Sequence, residues 1–363
     1  MVERRNNLNS MKAVNNKIKI AFSWNELPVY GARLLRAGIQ ELGLPVEIVA
    51  TRPTIPILGM DEIVNQKIYW IDKTKVKSWD ELGLEVPDIF FQAGWYIDSF
   101  ICLGNEVKNK GGKVVLLSDN CWKNSIRQWI GALVYRIKYR KYFDAVWVPG
   151  KSGQTLMRFF GVKKENIFKG LYGGDPISFE IGPPLSQRKK YVLFVGQLID
   201  RKGIPQLATV FSKFHNQFPD WQLIIFGDGP LRDLIHDKPG ITVFPFAQPL
   251  QIAKSMREAR FLVLPALEDH WPMVVNEASL SGCGLILSDR VGNISEFVGK
   301  ENGYVYPVNS QNELLDAFVK ITKLNDNVLD KISDESRNLG MKFTPHVWAE
   351  VFKKILTEIN KIN

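Results

Sequence analysis

The sequence predicts an α/β protein made of two doubly wound halves. Three observations carry this. The chain has 363 residues, which calls for about two domains. Short apolar runs alternate with helical periods along nearly its whole length, the pattern of a parallel sheet covered on both faces. The alternation stops once, around residues 176–190, and then resumes. Hydrophobic residues at 45% and charged residues at 23% are globular values and exclude a wholly disordered chain.

The opening stretch, 1–17, is polar, lacks an apolar h-region, and reads as a disordered tail. An N-terminal domain is expected over 18–176. Its strands are Ile18–Phe22, Val46–Ala50, Asp88–Phe91, Val114–Leu117 and Ala145–Val148, with a helix at Tyr30–Leu42. Pro176 and IGPPLSQRKK break regular structure, so 177–190 reads as a linker. A C-terminal domain is expected over 191–345, with strands Tyr191–Val195, Gln222–Phe226, Phe261–Leu264 and Leu285–Ser288. The last stretch, 346–363, is an amphipathic helix expected to pack back toward the N-terminal domain. Such halves place ligands at the carboxyl ends of their strands, with a cleft expected between them.

Composition narrows the class further. Cys102, Cys121 and Cys283 are odd in number and form no C-x-x-C pair, which fits a reducing cytosol better than a disulfide framework. No uncharged apolar run approaches the roughly 18 residues of a membrane-spanning helix. A nicotinamide dehydrogenase would carry G-x-G-x-x-G after a strand. The nearest match, Gly227-Asp228-Gly229-Pro230-Leu231-Arg232, ends in Arg, and after the first strand there is only Gly31.

The densest chemistry lies in LPALEDHWPMVVNEASLSGCGLILSD. A strand ends at Pro265, and Pro272 suits the first position of a helix. The N–H groups of Met273 and Val274 then point out of the helix start, where the dipole favours a phosphate. Asp269 precedes that turn. Glu277 lies in a helix whose neighbours argue for burial, so its carboxylate needs partners. A salt bridge across the core, an acidic pair at the helix end, or two sugar hydroxyls would all serve. After strand Tyr191–Val195 the chain reads Gly196-Gln197-Leu198-Ile199-Asp200-Arg201-Lys202-Gly203. A lysine at a helix start makes sense beside an anion, although a solvated Arg-Lys pair is the simpler account.

In order, strand–GxL–x3–KG–helix, GDGP after a strand, and Asp-x7-Glu on a strand-to-helix turn resemble the family-4 type of retaining, nucleotide-sugar-dependent glycosyltransferases. These have the GT-B fold, two facing Rossmann-like domains with an interdomain cleft. The resemblance extends to Gly170-Leu171-Tyr172-Gly173-Gly174-Asp175, to Ser288-Asp289-Arg290-Val291-Gly292-Asn293 with Glu296, and to Asn302-Gly303. It implies that Glu277 holds the donor ribose and Asp269 faces the transferred sugar. Lys202 and the amides of Met273 and Val274 would hold the diphosphate, with Gly196, Gln197, Arg201 and His270 lining the donor site. Three positions depart from the family pattern. Asp269 replaces the first Glu of Glu-x7-Glu, His270 stands where glycine is usual, and Gln197 replaces an arginine.

In the N-terminal half, Asp119 and Asn120 follow a strand. They are candidates for contacting sugar hydroxyls, Asp119 catalytically, or for capping a helix over Cys121–Tyr142. Pro28–Ala32, with Tyr30 and Gly31, partly matches the family's acceptor loop. The resemblance implies transfer of a sugar, with retained anomeric configuration, from a nucleoside diphosphate to a glycan or lipid-linked acceptor. Cell-surface polysaccharide or glycolipid synthesis would be its setting. No cofactor or metal is expected beyond the donor. A sugar-nucleotide epimerase, or a non-catalytic nucleotide-sugar or RNA-binding protein, are the alternatives.

The net charge of +9 is local. Residues 121–170 hold eleven Lys and Arg against Asp144 and Glu165, and the rest of the chain is balanced. On a helix, Ile126, Trp129, Ile130, Leu133, Val134 and Ile137 form one stripe, expected to pack on the sheet. Tyr135, Lys138, Tyr139 and Tyr142 would then face out among Arg127, Arg136, Arg140 and Lys141. That basic face over 123–141 suits an anionic membrane surface or solvent, and suits nucleic acid less. The expected location is the cytoplasm, with peripheral placement on the inner face of the plasma membrane left open.

Overall fold

The computed structural model describes residues 18–53 and 59–361; the polar stretch 1–17 lies outside them. Two compact units result, one from the chain up to Tyr172 together with Pro345 onward, the other from Gly173 to Thr344.

The first unit is built on seven parallel strands: β1 (Ile20–Trp24), β2 (Val46–Ala50), β3 (Ile68–Trp70), β4 (Ile89–Ala93), β5 (Lys113–Leu117), β6 (Ala145–Val148) and β7 (Ile167–Lys169). Their order is β3-β2-β1-β4-β5-β6-β7. The central strands are apolar at almost every position because helices cover both faces. Between the strands lie α1 (Val29–Leu42), α2 (Met60–Val64), α3 (Asp98–Asn109), α4 (Ile126–Val134) and α5 (Lys151–Phe159). The C-terminal helix, Pro345–Ile359, belongs to this unit and packs on α1. Gly38 makes that approach possible, since a Cβ there would lie 2.5 Å from the Trp348 ring. Trp348 stacks on Trp147 at 4.8 Å and donates its indole N–H to the Leu171 carbonyl at 2.9 Å.

The second unit has six parallel strands, β8 (Lys189–Val195), β9 (Gln222–Phe226), β10 (Ile241–Phe244), β11 (Ala259–Leu264), β12 (Gly284–Ser288) and β13 (Gly303–Tyr306), in the order β10-β9-β8-β11-β12-β13. Its helices are α6 (Ile204–Gln217), α7 (Pro249–Glu258), α8 (Met273–Leu280), α9 (Ile294–Phe297), α10 (Gln311–Thr322) and α11 (Asp326–Gly340). In each sheet the chain builds outward from the middle in one direction and then the other. The order reverses between β1 and β4, and between β8 and β11. Such a reversal is the general place for a ligand site at the carboxyl edge of an open parallel sheet.

The expectation for the helix over 121–142 is overturned. The helix over 121–142 begins only at Ile126, capped by the Ser125 hydroxyl, which accepts from the Gln128 N–H. Asp119 and Asn120 therefore do not cap this helix. The aliphatic stripe does not pack on the sheet: Ile126 is 80% exposed and Ile137 73%, and Trp129, Ile130 and Leu133 are also exposed. The opposite stripe, Ala132, Tyr135, Tyr139, Tyr142 and Phe143, turns inward instead, and one π-turn over Tyr135–Tyr139 keeps it in register. Tyr135 packs on Trp95 and Phe160, with centroids 5.3 and 5.6 Å away. The Tyr142 hydroxyl donates to Gln92 Oε1 at 2.7 Å. A buried tyrosine contributes a large apolar ring and costs little once its hydroxyl is paired, as those of Tyr139 and Tyr142 are, so the tyrosine stripe outcompetes the aliphatic face. Burial pushes the Tyr135 and Tyr142 phenols well above their ordinary pKa.

Candidate functional site

In the second unit the sheet reversal brings the loop after β8 beside the loop after β11. These are the stretches 196–203 and 265–272. The chain leaves β8 through Gly196, makes a short 3-10 turn over Asp200–Lys202, and enters α6 through Gly203 at φ 70°. A Cβ on Gly203 would lie 2.0 Å from the Pro265 carbonyl oxygen, so the two loops meet backbone to backbone. The Leu267 N–H donates to the Arg201 carbonyl at 2.8 Å, and the Arg201 guanidinium donates to the Glu268 carbonyl at 2.8 Å. The GDGP turn joins from the other side. The Leu198 N–H donates to the Asp228 carbonyl at 2.8 Å, and the Leu231 N–H to the Leu198 carbonyl at 3.1 Å.

The loop after β11 is also gripped by the turn after β12. Ser288 donates its hydroxyl to the Ala266 carbonyl, the Asp269 N–H donates to Arg290, and the Gly292 N–H donates to the Asp269 carbonyl at 2.7 Å. A Cβ at Gly292 would sit 2.1 Å from the His270 carbonyl oxygen. The buried Asn293 amide donates to the Pro272 carbonyl at 3.1 Å, fixing the entry to α8. Asn276 anchors α8 at its next turn, accepting from the Gly174 N–H and donating to the Gly340 carbonyl at 3.3 Å. Sequence reasoning quoted Ser288, Gly292 and Asn293 only as part of a signature and assigned Asn276 nothing. The signal was present, since buried polar side chains between two apolar runs must bond to something.

Within this frame the Lys202 ammonium is ion-paired with the Asp269 carboxylate, each side chain 12% exposed. Pro272 caps α8 rather than opening it, so Met273 and Val274 are its first two helical residues. Their N–H groups precede the first possible helical acceptor. Val275, Asn276, Ala278, Ser279 and Leu280 are buried, whereas Met273, Val274 and Glu277 are half-buried. Met273 and Glu277 stand four apart, Val274 and Glu277 three apart, so all three lie on the open face of α8. Glu277 is therefore only partly enclosed, in a helix whose neighbouring positions are mostly buried. His270 turns toward Glu268, its Nε2 3.1 Å from Glu268 Oε1. Gln197 and Arg201 are exposed. One edge therefore carries a cation, helix-start amides and two carboxylates, on loops that are mutually braced.

The first unit has its own cluster at the same kind of edge. Pro28–Ala32 is the start of α1 rather than a loop. Gly31 is needed there because a Cβ would touch the Trp24 ring at 3.0 Å. Tyr30 meets Tyr172 edge-on at 5.7 Å, and Trp24 lies 6.1 Å from Tyr172. Burial, then the Asp119 carboxylate, then Tyr30 and Tyr96, hold the Tyr172 phenol well above its usual pKa, which places Asp119 among these rings. Asp119 and Asn120 are themselves exposed.

Residues 180–339 match the family model of the glycosyl transferases group 1. Among curated proteins, the chain is 24% identical over 189 residues to 2-deoxystreptamine N-acetyl-D-glucosaminyltransferase of Niallia circulans, covering 48% of each chain. The chain spans about half or less of the length of the curated relatives it first matches. Among solved structures, a glycosyltransferase from Rickettsia africae superposes with a TM-score of 0.74 at 14% identity, over 96% of this chain and all of that one. Anabaena HepE in complex with UDP-glucose superposes with a TM-score of 0.70 at 12% identity, over 94% of this chain and all of that one. Two parallel sheets with these neighbours are the GT-B architecture, and residues 180–339 carry the pattern of the glycosyl transferases group 1 upon it.

Proposed function

We propose that this chain transfers a sugar, with retention of anomeric configuration, from a nucleoside diphosphate to a hydroxyl of a glycan or lipid-linked acceptor. The observation that carries the reading is the braced edge of the second unit. It carries an enclosed ammonium and the first amides of α8, groups whose charge suits a diphosphate, with Glu277 one turn further along the helix. The GT-B neighbour that binds UDP-glucose supports a donor of this class.

Breaking the bond from the anomeric carbon to the phosphate oxygen leaves positive charge on the sugar and an additional negative charge on the departing diphosphate. Lys202 and the amides of Met273 and Val274 stabilise that negative charge as it grows, and no metal is assigned to the role. Glu277 accepts hydrogen bonds from the two ribose hydroxyls. Asp269 releases part of Lys202 to the diphosphate and faces the sugar. The acceptor oxygen bonds to the anomeric carbon on the face the phosphate leaves, and its proton passes to the departing phosphate oxygen. Unit one offers Tyr30, Asp119 and Asn120 to the acceptor, and positioning that hydroxyl supplies much of the remaining acceleration. We place the chain in a reducing, cytoplasmic setting, because three cysteines far apart with no C-x-x-C pair offer no disulfide framework.

The test is turnover of a panel of nucleoside-diphosphate sugars with sugar and lipid-linked acceptors. Glycosidic product of the donor's own anomeric configuration is expected, and Glu277→Ala should raise the donor KM by roughly tenfold or more. Epimerised donor formed without an acceptor would overturn the reading, as would wild-type kinetics in Glu277→Ala.

A further inference from the structure

We propose that α4 and the π-turn after it are a membrane-docking face that lies flat in the interface of an anionic bilayer. The inference is independent of the reaction assigned above. Ile126, Trp129, Ile130, Leu133 and Ile137 stand at i, i+3, i+4, i+7 and i+11, and every one is exposed, from 57% for Trp129 to 80% for Ile126. A continuous aliphatic and indole stripe left in water is unusual for a surface helix and marks a contact. Its geometry is held from within. Tyr135, Tyr139 and Tyr142 bury the opposite side, and Trp129 is set edge-on against Phe159 at 4.8 Å while donating to Asn124 Oδ1 at 3.2 Å.

Charge identifies the occupant. Lys123, Arg127, Arg136, Lys138, Arg140 and Lys141 surround the stripe, all are exposed, and no acidic residue occurs between Asp119 and Asp144. A covering surface must therefore be apolar in the middle and anionic at its rim. A bilayer with anionic headgroups is both. A second copy of this chain would set six cations against six. Nucleic acid would match the rim and leave the aliphatic stripe without an apolar partner. The helix and its π-turn together measure about 20 Å, too short to cross a bilayer and suited to lying within its interface. Among the described residues no helix is long and apolar enough to cross a membrane. Trp129 has the position of an interfacial anchor.

The measurement is co-sedimentation of the full chain with vesicles of phosphatidylcholine alone and of phosphatidylcholine with phosphatidylglycerol, at low and near-physiological salt. Binding is expected to the anionic vesicles and to persist in salt. Ile130→Ser with Leu133→Ser should weaken partitioning roughly tenfold or more. Arg127, Lys138, Arg140 and Lys141 changed together to Gln should weaken it at least about tenfold and remove its salt dependence. Both variants should keep the wild-type melting temperature, because the altered side chains are exposed. Brominated lipid should quench wild-type fluorescence more than that of Trp129→Phe. Equal binding to neutral and anionic vesicles would overturn the proposal. So would full binding by the serine variant, a wild-type dimer that the serine variant dissociates, or RNA retention by the rim without vesicle binding.

Discussion

Lys202→Ala should lower kcat/KM for the donor by roughly 10²–10³-fold, the loss expected when one preorganised donor to a developing oxyanion is removed. Its ammonium is mostly enclosed and held against Asp269 by two loops that lock each other, and a water entering the space would bring no positive charge. The truncation also leaves the Asp269 carboxylate uncompensated beside the place assigned to the diphosphate, adding repulsion to the lost attraction. A double-mutant cycle separates these contributions. Asp269→Asn alone should bind nucleoside diphosphate more tightly than wild type, because Lys202 is no longer shared, while transferring sugar more slowly. In the Lys202→Ala background the same change should recover part of the lost binding. Arg201→Ala is the contrasting case. Its guanidinium is exposed and bonds to a backbone carbonyl, so a smaller loss is expected. Steady-state kinetics and calorimetric binding of the free diphosphate decide the outcome. Equal losses for Lys202 and Arg201 would show that general positive charge, not the enclosed ammonium, matters.

Gly203→Ala should destabilise the second unit by about 2–5 kcal/mol and disable the site with it. Two costs combine. A side chain at φ 70° costs roughly 1–2 kcal/mol, and overpacking against an immobile neighbour adds typically 1–3 kcal/mol. The neighbour here is the Pro265 carbonyl oxygen, 2.0 Å from the new methyl carbon, and moving it drags the loop that carries Asp269. Gly43→Ala isolates the first cost, since Gly43 has φ 61° with nothing within 4 Å of an added Cβ. Its expected loss is only the conformational part. Denaturant midpoints of the two variants measure the difference. Similar midpoints would mean that the two loops are not tightly locked.

How much of this was legible in the sequence follows from which positions burial constrains on every side. Val192–Phe194 and Phe261–Leu264 read directly as strands because both sheet faces bury them. The four strands that escaped notice, Ile68–Trp70, Ile167–Lys169, Ile241–Phe244 and Gly303–Tyr306, are the four edges of the two sheets. An edge strand is short and half solvated, so it leaves no continuous apolar run. Lys202, Asp269 and Glu277 could be singled out because a charge at a strand end or among apolar neighbours is costly without a partner. That Lys202 pairs with Asp269 could not be read, since 67 residues separate them and only the sheet reversal brings them together. The helix after Ser125 misled for a different reason. Two stripes of helical period coexist in it, and choosing the aliphatic one ignored that Tyr142 has an acceptor waiting on β4 at Gln92. Periodicity shows that a helix has a face. Partners elsewhere in the fold decide which face turns inward.

The central claim is that the enclosed ammonium and the start of α8 hold a nucleoside diphosphate, with Glu277 on its ribose. A crystal structure with a nucleoside diphosphate bound tests it most directly. The expected result places the phosphates within hydrogen-bond distance of Lys202 Nζ and of the Met273 and Val274 amides, with both ribose hydroxyls on the Glu277 carboxylate. A diphosphate bound elsewhere, with the Lys202–Asp269 pair intact and Glu277 untouched, would contradict it.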